Sequence, residues 1–269
     1  MQYDPVKRRL GTVFNSTPAL RRLFYRLLDL LLLRAWHIHK ELRAWAKDKR
    51  GRELAIYDAG AGFGQYSYWL SGLSPNWSIT AIDVKEEQVA DCNTFFQKIG
   101  RPHVKFEVGD VTKFQRPDAF ELVVCVDVME HILEDEAALR CYSTSLKPGG
   151  MLIISTPSDQ GGSDVHGEEE GSFIEEHVRD GYNIDDIRAK ALRNGFSKVE
   201  ARYSYGAPGK ISWKLSMKWP LLMLQASKVF FIVLPFYYVM TYPVAFVLNW
   251  FDVHGKHPTG TGLIVKAWK

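Results

Sequence analysis

Three glycines at alternate positions, directly behind an apolar run that ends in aspartate, constrain this chain more than any other feature: IYDAGAGFGQYS, Ile56 to Ser67. Gly60, Gly62 and Gly64 let the backbone turn tightly and approach a ligand, and a helix starting near Gly64 aims its free N–H groups at the same place. Such a loop cradles a nucleotide-like cofactor. It departs from the dinucleotide fingerprint G-x-G-x-x-G, in which pyrophosphate meets the helix N-terminus. Here Asp58 closes the strand, an anion that phosphate would avoid, and the loop carries no Lys or Arg, so a cationic cofactor fits better. Alone, the pattern is also compatible with a mere tight turn; the sites downstream decide.

A second β-rich run, WSITAIDV from Trp77 to Val84, ends in Asp83, 25 positions beyond Asp58, where a doubly wound fold needs a carboxylate for ribose hydroxyls. A third, VKFEVGDV, ends in Asp110 and Val111. The fourth, AFELVVCVDVMEHI, is continuously apolar from Leu122 to Val126, as a strand buried on both faces should be. LKPGGMLIISTP, Leu146 to Pro157, then supplies a Pro-Gly-Gly turn and a fifth strand.

Together these runs resemble the class I S-adenosylmethionine-dependent methyltransferases, small-molecule type, close in style to the ubiquinone-pathway (methyltransferase type 11) group, over Glu53 to Tyr205. The resemblance implies an α/β fold: a doubly wound, seven-stranded, Rossmann-like sheet of order 3-2-1-4-5-7-6 with the last strand antiparallel. It implies S-adenosylmethionine as cofactor. Asp58, Gly60, Gly62 and Gly64 would hold the methionine part, Asp83 the ribose hydroxyls, and Asp110 with Val111 the adenine edge. Asp127 would lie beside the amino end and the transferred methyl, with Ala61, Val84 and Val126 as further cofactor neighbours. Displacement at a sulfonium has a good leaving group already, so the protein contributes mainly alignment. Carboxylates at strand ends suit a cofactor positive at sulfur and amine.

A chain of 269 residues suffices for one large α/β domain with appended segments. The division expected is 1–52, a basic amphipathic helical cap; 53–207, the cofactor-binding core; 208–259, a hydrophobic helical insertion; and 260–269, the final strand. Cys92, Cys125 and Cys141 have no metal-like spacing and read as reduced, buried thiols of a cytoplasmic protein; no metal site is expected. The net charge of +3 hides a segregation. Residues 1–52 carry 13 Lys or Arg against 4 acids (+9), residues 208–269 carry 7 against 1 (+6), and the middle 14 against 26 (−12).

The stretch Arg21 to Lys49 reads as one long helix with a wide apolar face. Two readings stand: a cap packed on the core, or a basic helix in the headgroups of an anionic bilayer, and both can hold. It is no signal peptide, because Arg26, Asp29 and Arg34 interrupt the apolar run.

More than 50 residues separate a sixth strand, Lys198 to Gly206, from the last, Gly262 to Trp268. From Trp219 to Phe251 the sole charged residue is Lys228, and Val229 to Leu248 could span a bilayer by length. Pro235 and Pro243 are expected to break the helix, Tyr237, Tyr238 and Tyr242 suit an interface, and a single span would strand the last strand on the far side. The expectation is therefore a peripheral, monotopic association with the inner face of the membrane, flanked by Lys210, Lys214, Lys218 and Lys256. A buried homodimer face and a hydrophobic lid over the site are the alternatives.

Between the fifth strand and the next helix, His166, His177, Arg179 and Tyr182 are the candidate groups near a substrate, where an open α/β sheet places it. EEHVRDGY resembles a segment carried near the substrate by ubiquinone-type enzymes; His177 otherwise braces the following helix. His131, behind the fourth strand, is the natural proton acceptor if the nucleophile must lose a proton. Otherwise Glu130 and His131 merely begin the next helix. Nucleic acid is disfavoured as a partner, because the basic stretches coincide with apolar ones. The reading is a methyltransferase acting on a lipophilic or lipid-linked small molecule. A soluble small-metabolite enzyme and a non-catalytic membrane scaffold are the competing classes.

Overall fold

The computed structural model describes residues 17–161, 178–227 and 229–269. His166 and His177 lie outside them. Seven strands form one sheet of order β3-β2-β1-β4-β5-β7-β6: β1 (Leu54–Ala59), β2 (Trp77–Asp83), β3 (Val104–Val108), β4 (Phe120–Val126), β5 (Leu146–Pro157), β6 (Lys198–Ser204) and β7 (Gly262–Trp268). All neighbouring pairs are parallel except β5 with β7 and β6 with β7, so β7 alone runs against the rest.

The apolar runs alternate between two cores, as period-2 side chains must. Ile56, Leu122, Val124 and Ile153 pack on one face with Trp77, Phe95 and Phe96. Tyr57, Val123, Cys125 and Ile154 pack on the other with Leu139, Tyr142 and Ile187. The first core is covered by α1 (Pro18–Leu31), α2 (Leu33–Ala46), α3 (Gln65–Ser71) and α4 (Glu86–Lys98), and the second by α5 (Asp135–Ser145) and α6 (Ile184–Arg193). The three thiols are free and buried.

The single helix expected over 21–49 is two helices. Leu32, at φ −88° and ψ 110°, is extended and breaks the chain between them. Both pack on the core: Tyr25, Ile38 and Leu42 are fully buried, and His39 stacks on Trp69 at 4.2 Å.

The insertion folds as a hairpin. Its first leg is α7 (Ala207–Trp213), a π-helical turn (Lys214–Lys218) and α8 (Trp219–Ala226); its return is α9 (Phe230–His254). Contrary to expectation, Pro235 and Pro243 do not break α9. Each removes one helical hydrogen bond, but contacts with the first leg hold the helix. The hydroxyls of Tyr237 and Tyr238 donate to the carbonyls of Leu215 and Ser216 at 2.7 and 2.9 Å, inside the π turn. Ser212 Oγ lies 2.6 Å from the Asn249 carboxamide oxygen. Both feet join the sheet, α7 following β6 and α9 preceding β7.

Candidate active site at the carboxyl ends of the strands

The three loop glycines all have positive φ, +71°, +51° and +77°, yet their surroundings differ. A Cβ on Gly60 would come within 2.4 Å of Val128 Cγ2, and one on Gly64 within 2.7 Å of the Phe106 ring; at Gly62 it would meet nothing within 4 Å. Gly60 and Gly64 thus let neighbouring chain come close, while Gly62 looks onto open space where a ligand can lie. The loop is pinned from β2: Gly60 and Ala61 N–H donate to Ile82 O, both at 2.9 Å, and Gly62 N–H donates to Asp83 Oδ2 at 2.8 Å.

Asp83 also accepts Lys85 N–H on its other oxygen at 2.9 Å, and each carboxylate oxygen keeps acceptor capacity for a hydroxyl. Val84 and Val108, 61% and 52% exposed, stand beside it at the ends of β2 and β3. Two bare valines at strand ends make a flat apolar wall suited to a purine. Val111 is buried, and the Asp110 carboxylate turns back to Thr112 N–H and Oγ1 at 2.9 and 2.7 Å, holding its own loop and sitting below the usual carboxylate range for that reason. Asp58 is buried beneath the loop, where it accepts the Ser67 hydroxyl at 2.6 Å; burial pushes its carboxyl up to about 6. It braces β1 to α3 from below rather than facing the cradle.

At the end of β4, behind buried Val126, Asp127 adopts φ +52°, a conformation non-glycine residues seldom take, with its N–H on Ser155 O at 2.9 Å. Its carboxylate is paired with the Arg34 guanidinium from α2. Arg34 N–H donates to the Tyr205 hydroxyl at 3.0 Å. The Tyr66 hydroxyl, on the helix that leaves the glycine loop, is buried without a partner, and the fields of Arg34, Asp127 and Tyr205 act on it. A guanidinium, a carboxylate and a buried hydroxyl with no partner among the described residues are the chemistry that an α-amino-acid zwitterion would need. The residues present therefore fit S-adenosylmethionine end to end.

Glu130 is 2% exposed, accepts the Thr156 hydroxyl at 3.1 Å, and is pushed up to about 8 by burial and then by the charge of Asp127. His131 is exposed on the one-turn 3-10 helix Met129–His131. No role in the site is legible in the sequence for Arg34, Tyr66 or Tyr205, although Tyr66 lies within the glycine-loop segment; Glu130 is marked there only as the neighbour of His131.

Arg179 and Tyr182, expected near the substrate, brace the fold instead. The Arg179 guanidinium pairs with Asp135 at 2.6 Å and binds the carbonyls of Ile132 and Leu133, and the Tyr182 hydroxyl donates to Asp135 at 2.8 Å while the residue is 2% exposed. Lys190 joins the same carboxylate at 2.9 Å. These groups satisfy the Asp135 carboxylate, and burial leaves Tyr182 no surface for a substrate. Among the described residues no group of three or more His, Cys, Asp or Glu side chains is placed to hold a metal ion.

Residues 56–150 match the family described as a methyltransferase domain. That segment carries the methyltransferase-domain pattern, and the fold around it is the one seen in class I S-adenosylmethionine-dependent methyltransferases. The chain is 30% identical over 107 residues to the human mitochondrial ubiquinone biosynthesis O-methyltransferase, covering 38% of this chain and 28% of that one. It is 30% identical over 136 residues to an uncharacterised protein of Synechococcus, covering 49% and 32%. The chain thus spans about a third of the length of these curated relatives. Among solved structures it resembles phosphoethanolamine N-methyltransferase 2 of Haemonchus contortus (TM-score 0.59, 16% identity, 91% of this chain and 60% of that one). The [4+2]-cyclase SpnF is equally close in fold (TM-score 0.59, 18% identity, 88% and 81%), so the fold alone does not fix the reaction.

Were S-adenosylmethionine bound, the residues would divide the work by chemistry. Asp83 would take the paired hydroxyls and Val84 and Val108 the base, while Arg34, Tyr66 and Asp127 would meet the carboxylate and ammonium. When bound, S-adenosylmethionine supplies an activated methyl on a positively charged sulfur. The protein's share is alignment and exclusion of water. Glu130, held largely protonated by burial and by Asp127, adds no second negative charge beside that carboxylate.

Proposed function

We propose that this chain methylates a lipophilic or lipid-linked small molecule at the surface of an anionic membrane, on its cytoplasmic side. The observation that carries the reading is the bare outer surface of the hairpin. Ile232, Phe236, Val239 and Met240 are each 72–77% exposed, and Phe231, Val244, Val247 and Phe251 about half exposed. An apolar helix in a water-soluble setting buries such side chains, so this surface calls for an apolar partner.

The spacing of charges favours one leaflet over a full crossing. On the first leg the uncharged part, Trp219–Ala226, is 8 residues, or about 12 Å of helix. That is close to half of a hydrocarbon core of about 30 Å. Below it stand Lys214 and Lys218, level with Tyr237 and Tyr238 through the hydroxyl bonds already described, the arrangement of cations and aromatics that suits a headgroup layer. The feet of the hairpin adjoin Tyr205 and, through it, Arg34, so an acceptor arriving along the hairpin emerges beside Asp127. Relatives named for ubiquinone biosynthesis support a lipophilic acceptor, and three free thiols suit a reducing compartment.

The test is incubation with methyl-labelled cofactor and a total lipid extract. Label in an organic-soluble product supports the reading, whereas label confined to water-soluble acceptors, or to none, refutes it. In parallel, combined Ile232→Glu, Val239→Glu and Met240→Glu should abolish flotation with phosphatidylglycerol vesicles while S-adenosylhomocysteine still binds. A wild-type protein that fails to float would end the membrane part.

A further inference from the structure

Helix α1 is amphipathic with the wrong face inward. Its apolar residues Leu23, Leu27 and Leu30, spaced to share one side, are 48%, 37% and 40% exposed. Its inward side, two positions away on the helix and so nearly opposite, carries Arg21, Tyr25 and Asp29, and Arg21 is 2% exposed. An ordinary surface helix does the reverse.

Those inward groups serve the cofactor loop. Arg21 Nη2 donates to Phe63 O at 3.0 Å, the Tyr25 hydroxyl donates to the same carbonyl, and Arg21 is fixed by Asp91 at 2.5 Å and Tyr25 at 2.7 Å. Asp29 Oδ1 accepts Gln65 Nε2 at 2.7 Å. Phe63 and Gln65 flank Gly64, so α1 grips the loop on both sides of its last glycine.

The outward stripe is continuous with the hairpin. The Tyr242 hydroxyl of α9 donates to Leu30 O at 3.0 Å, and Trp36, which packs edge-on against Phe246 at 4.9 Å, donates to the same carbonyl at 3.1 Å. Beside the stripe, Arg22 and Arg26 are exposed, while the sole acid of the helix, Asp29, faces inward to Gln65. An apolar stripe edged by arginine heads that form no ion pair among the described residues is complementary to an anionic lipid surface.

We propose that α1 is a second membrane contact and that an anionic bilayer, by holding its outer face, steadies the cofactor loop gripped by its inner face. This rests on the membrane reading above and adds a regulatory consequence: cofactor affinity rises at the membrane. By reciprocity, bound cofactor strengthens membrane binding by the same factor.

The experiment measures S-adenosylhomocysteine affinity by calorimetry with and without vesicles of phosphatidylcholine and phosphatidylglycerol. The wild type should gain about fivefold or more in affinity, the lower end of ordinary coupling between sites. Combined Leu23→Ser, Leu27→Ser and Leu30→Ser, all surface changes, should keep the vesicle-free affinity and lose the gain. Wild type that binds vesicles with no change in cofactor affinity overturns the proposal and leaves the membrane reading standing. So does a triple variant that retains the gain. A wild-type dimer that the triple variant converts to monomer assigns the stripe to a second copy and overturns it too. Wild type that binds no vesicles sinks the membrane reading and this proposal together.

Discussion

The Arg34 guanidinium, in the first turn of α2, is paired with the Asp127 carboxylate at the end of β4, so the N-terminal cap closes over the carboxyl ends of the central strands. Both side chains are about one-third exposed, and a pair of that kind contributes only about 0–1 kcal/mol to stability. Such a small gain does not by itself account for a long side chain held against a strained aspartate. The pair would gain purpose as the two halves of a zwitterion receptor, with the Tyr66 hydroxyl, buried without a partner among the described residues, in the field of both.

Arg34→Met should therefore weaken S-adenosylhomocysteine by about 1.5–3 kcal/mol, the range for a hydrogen bond to a charged group. Methylthioadenosine, which has no amino-acid end, should bind the variant as it binds the wild type. Calorimetry with both ligands decides; equal losses for the two would remove Arg34 from the receptor.

Gly60→Ala and Gly62→Ala separate packing from ligand approach. Both impose positive φ on an alanine, costing about 1–2 kcal/mol. Gly60→Ala adds a clash with Val128 and should cost about 1–3 kcal/mol more in urea unfolding. Gly62→Ala meets no protein atom, so its further damage should fall on cofactor affinity. Equal stability losses with unchanged cofactor binding at Gly62 would contradict the assignment of that open space.

The alternating strands and the glycine loop were legible in the sequence because their signals are local: a period of two, a turn dipeptide, a residue type that tolerates positive φ. Asp83 was legible for the same reason, as the last residue of a strand at a fixed remove from the loop. Arg34, Tyr66 and Tyr205 were not, since what unites them is the docking of three elements distant in the chain. The break at Leu32, which puts Arg34 in the first turn of a second helix, leaves no Gly or Pro to announce it. Pro235 and Pro243 misled in the opposite sense: their local rule was outweighed by tertiary hydrogen bonds donated by Tyr237 and Tyr238 and accepted by Asn249. Arg179 and Tyr182 were placed in the right loop, yet Asp135 consumes them.

Asp83→Ala should weaken S-adenosylhomocysteine by about 1–3 kcal/mol, because it removes the acceptor for Gly62 and Lys85 N–H as well as the one offered to ribose. Adenine alone, lacking the sugar, should discriminate little between variant and wild type. Unchanged nucleoside affinity measured by calorimetry would move the ribose elsewhere.

Glu130 gives the site a pH signature. Its folded carboxyl is raised to about 8 by burial and by Asp127, against an ordinary value near 4.5. The folded protein therefore holds a proton that the unfolded chain has released, and Glu130 lowers stability progressively as pH rises from about 4.5 to about 8. Glu130→Gln, which cannot ionise, should flatten the decline in melting temperature across that window and leave the acid end little changed. A melting profile identical to wild type would show that the burial of this carboxyl is not what the protein feels.

Asp252 ties the foot of the hairpin to both the cap and the sheet. Fully buried, it accepts His37 Nε2 at 2.8 Å, Tyr205 N–H at 3.1 Å and Gly209 N–H at 2.9 Å. His37 Nδ1 accepts from Arg202 at 3.1 Å, and burial holds the imidazole below its ordinary value, so His37 is neutral and its proton lies on the nitrogen facing Asp252. Asp252→Ala strands three donors in a dry interior and should cost about 3–5 kcal/mol. Tyr205 also carries Arg34, so the same change should loosen the zwitterion receptor and weaken S-adenosylhomocysteine more than methylthioadenosine. Limited trypsin digestion supplies the spatial readout: Lys210, Lys214 and Lys218 should become cleavable before the sheet does. If urea unfolding, ligand preference and cleavage order all match wild type, the hairpin is not held to the active site through this carboxylate.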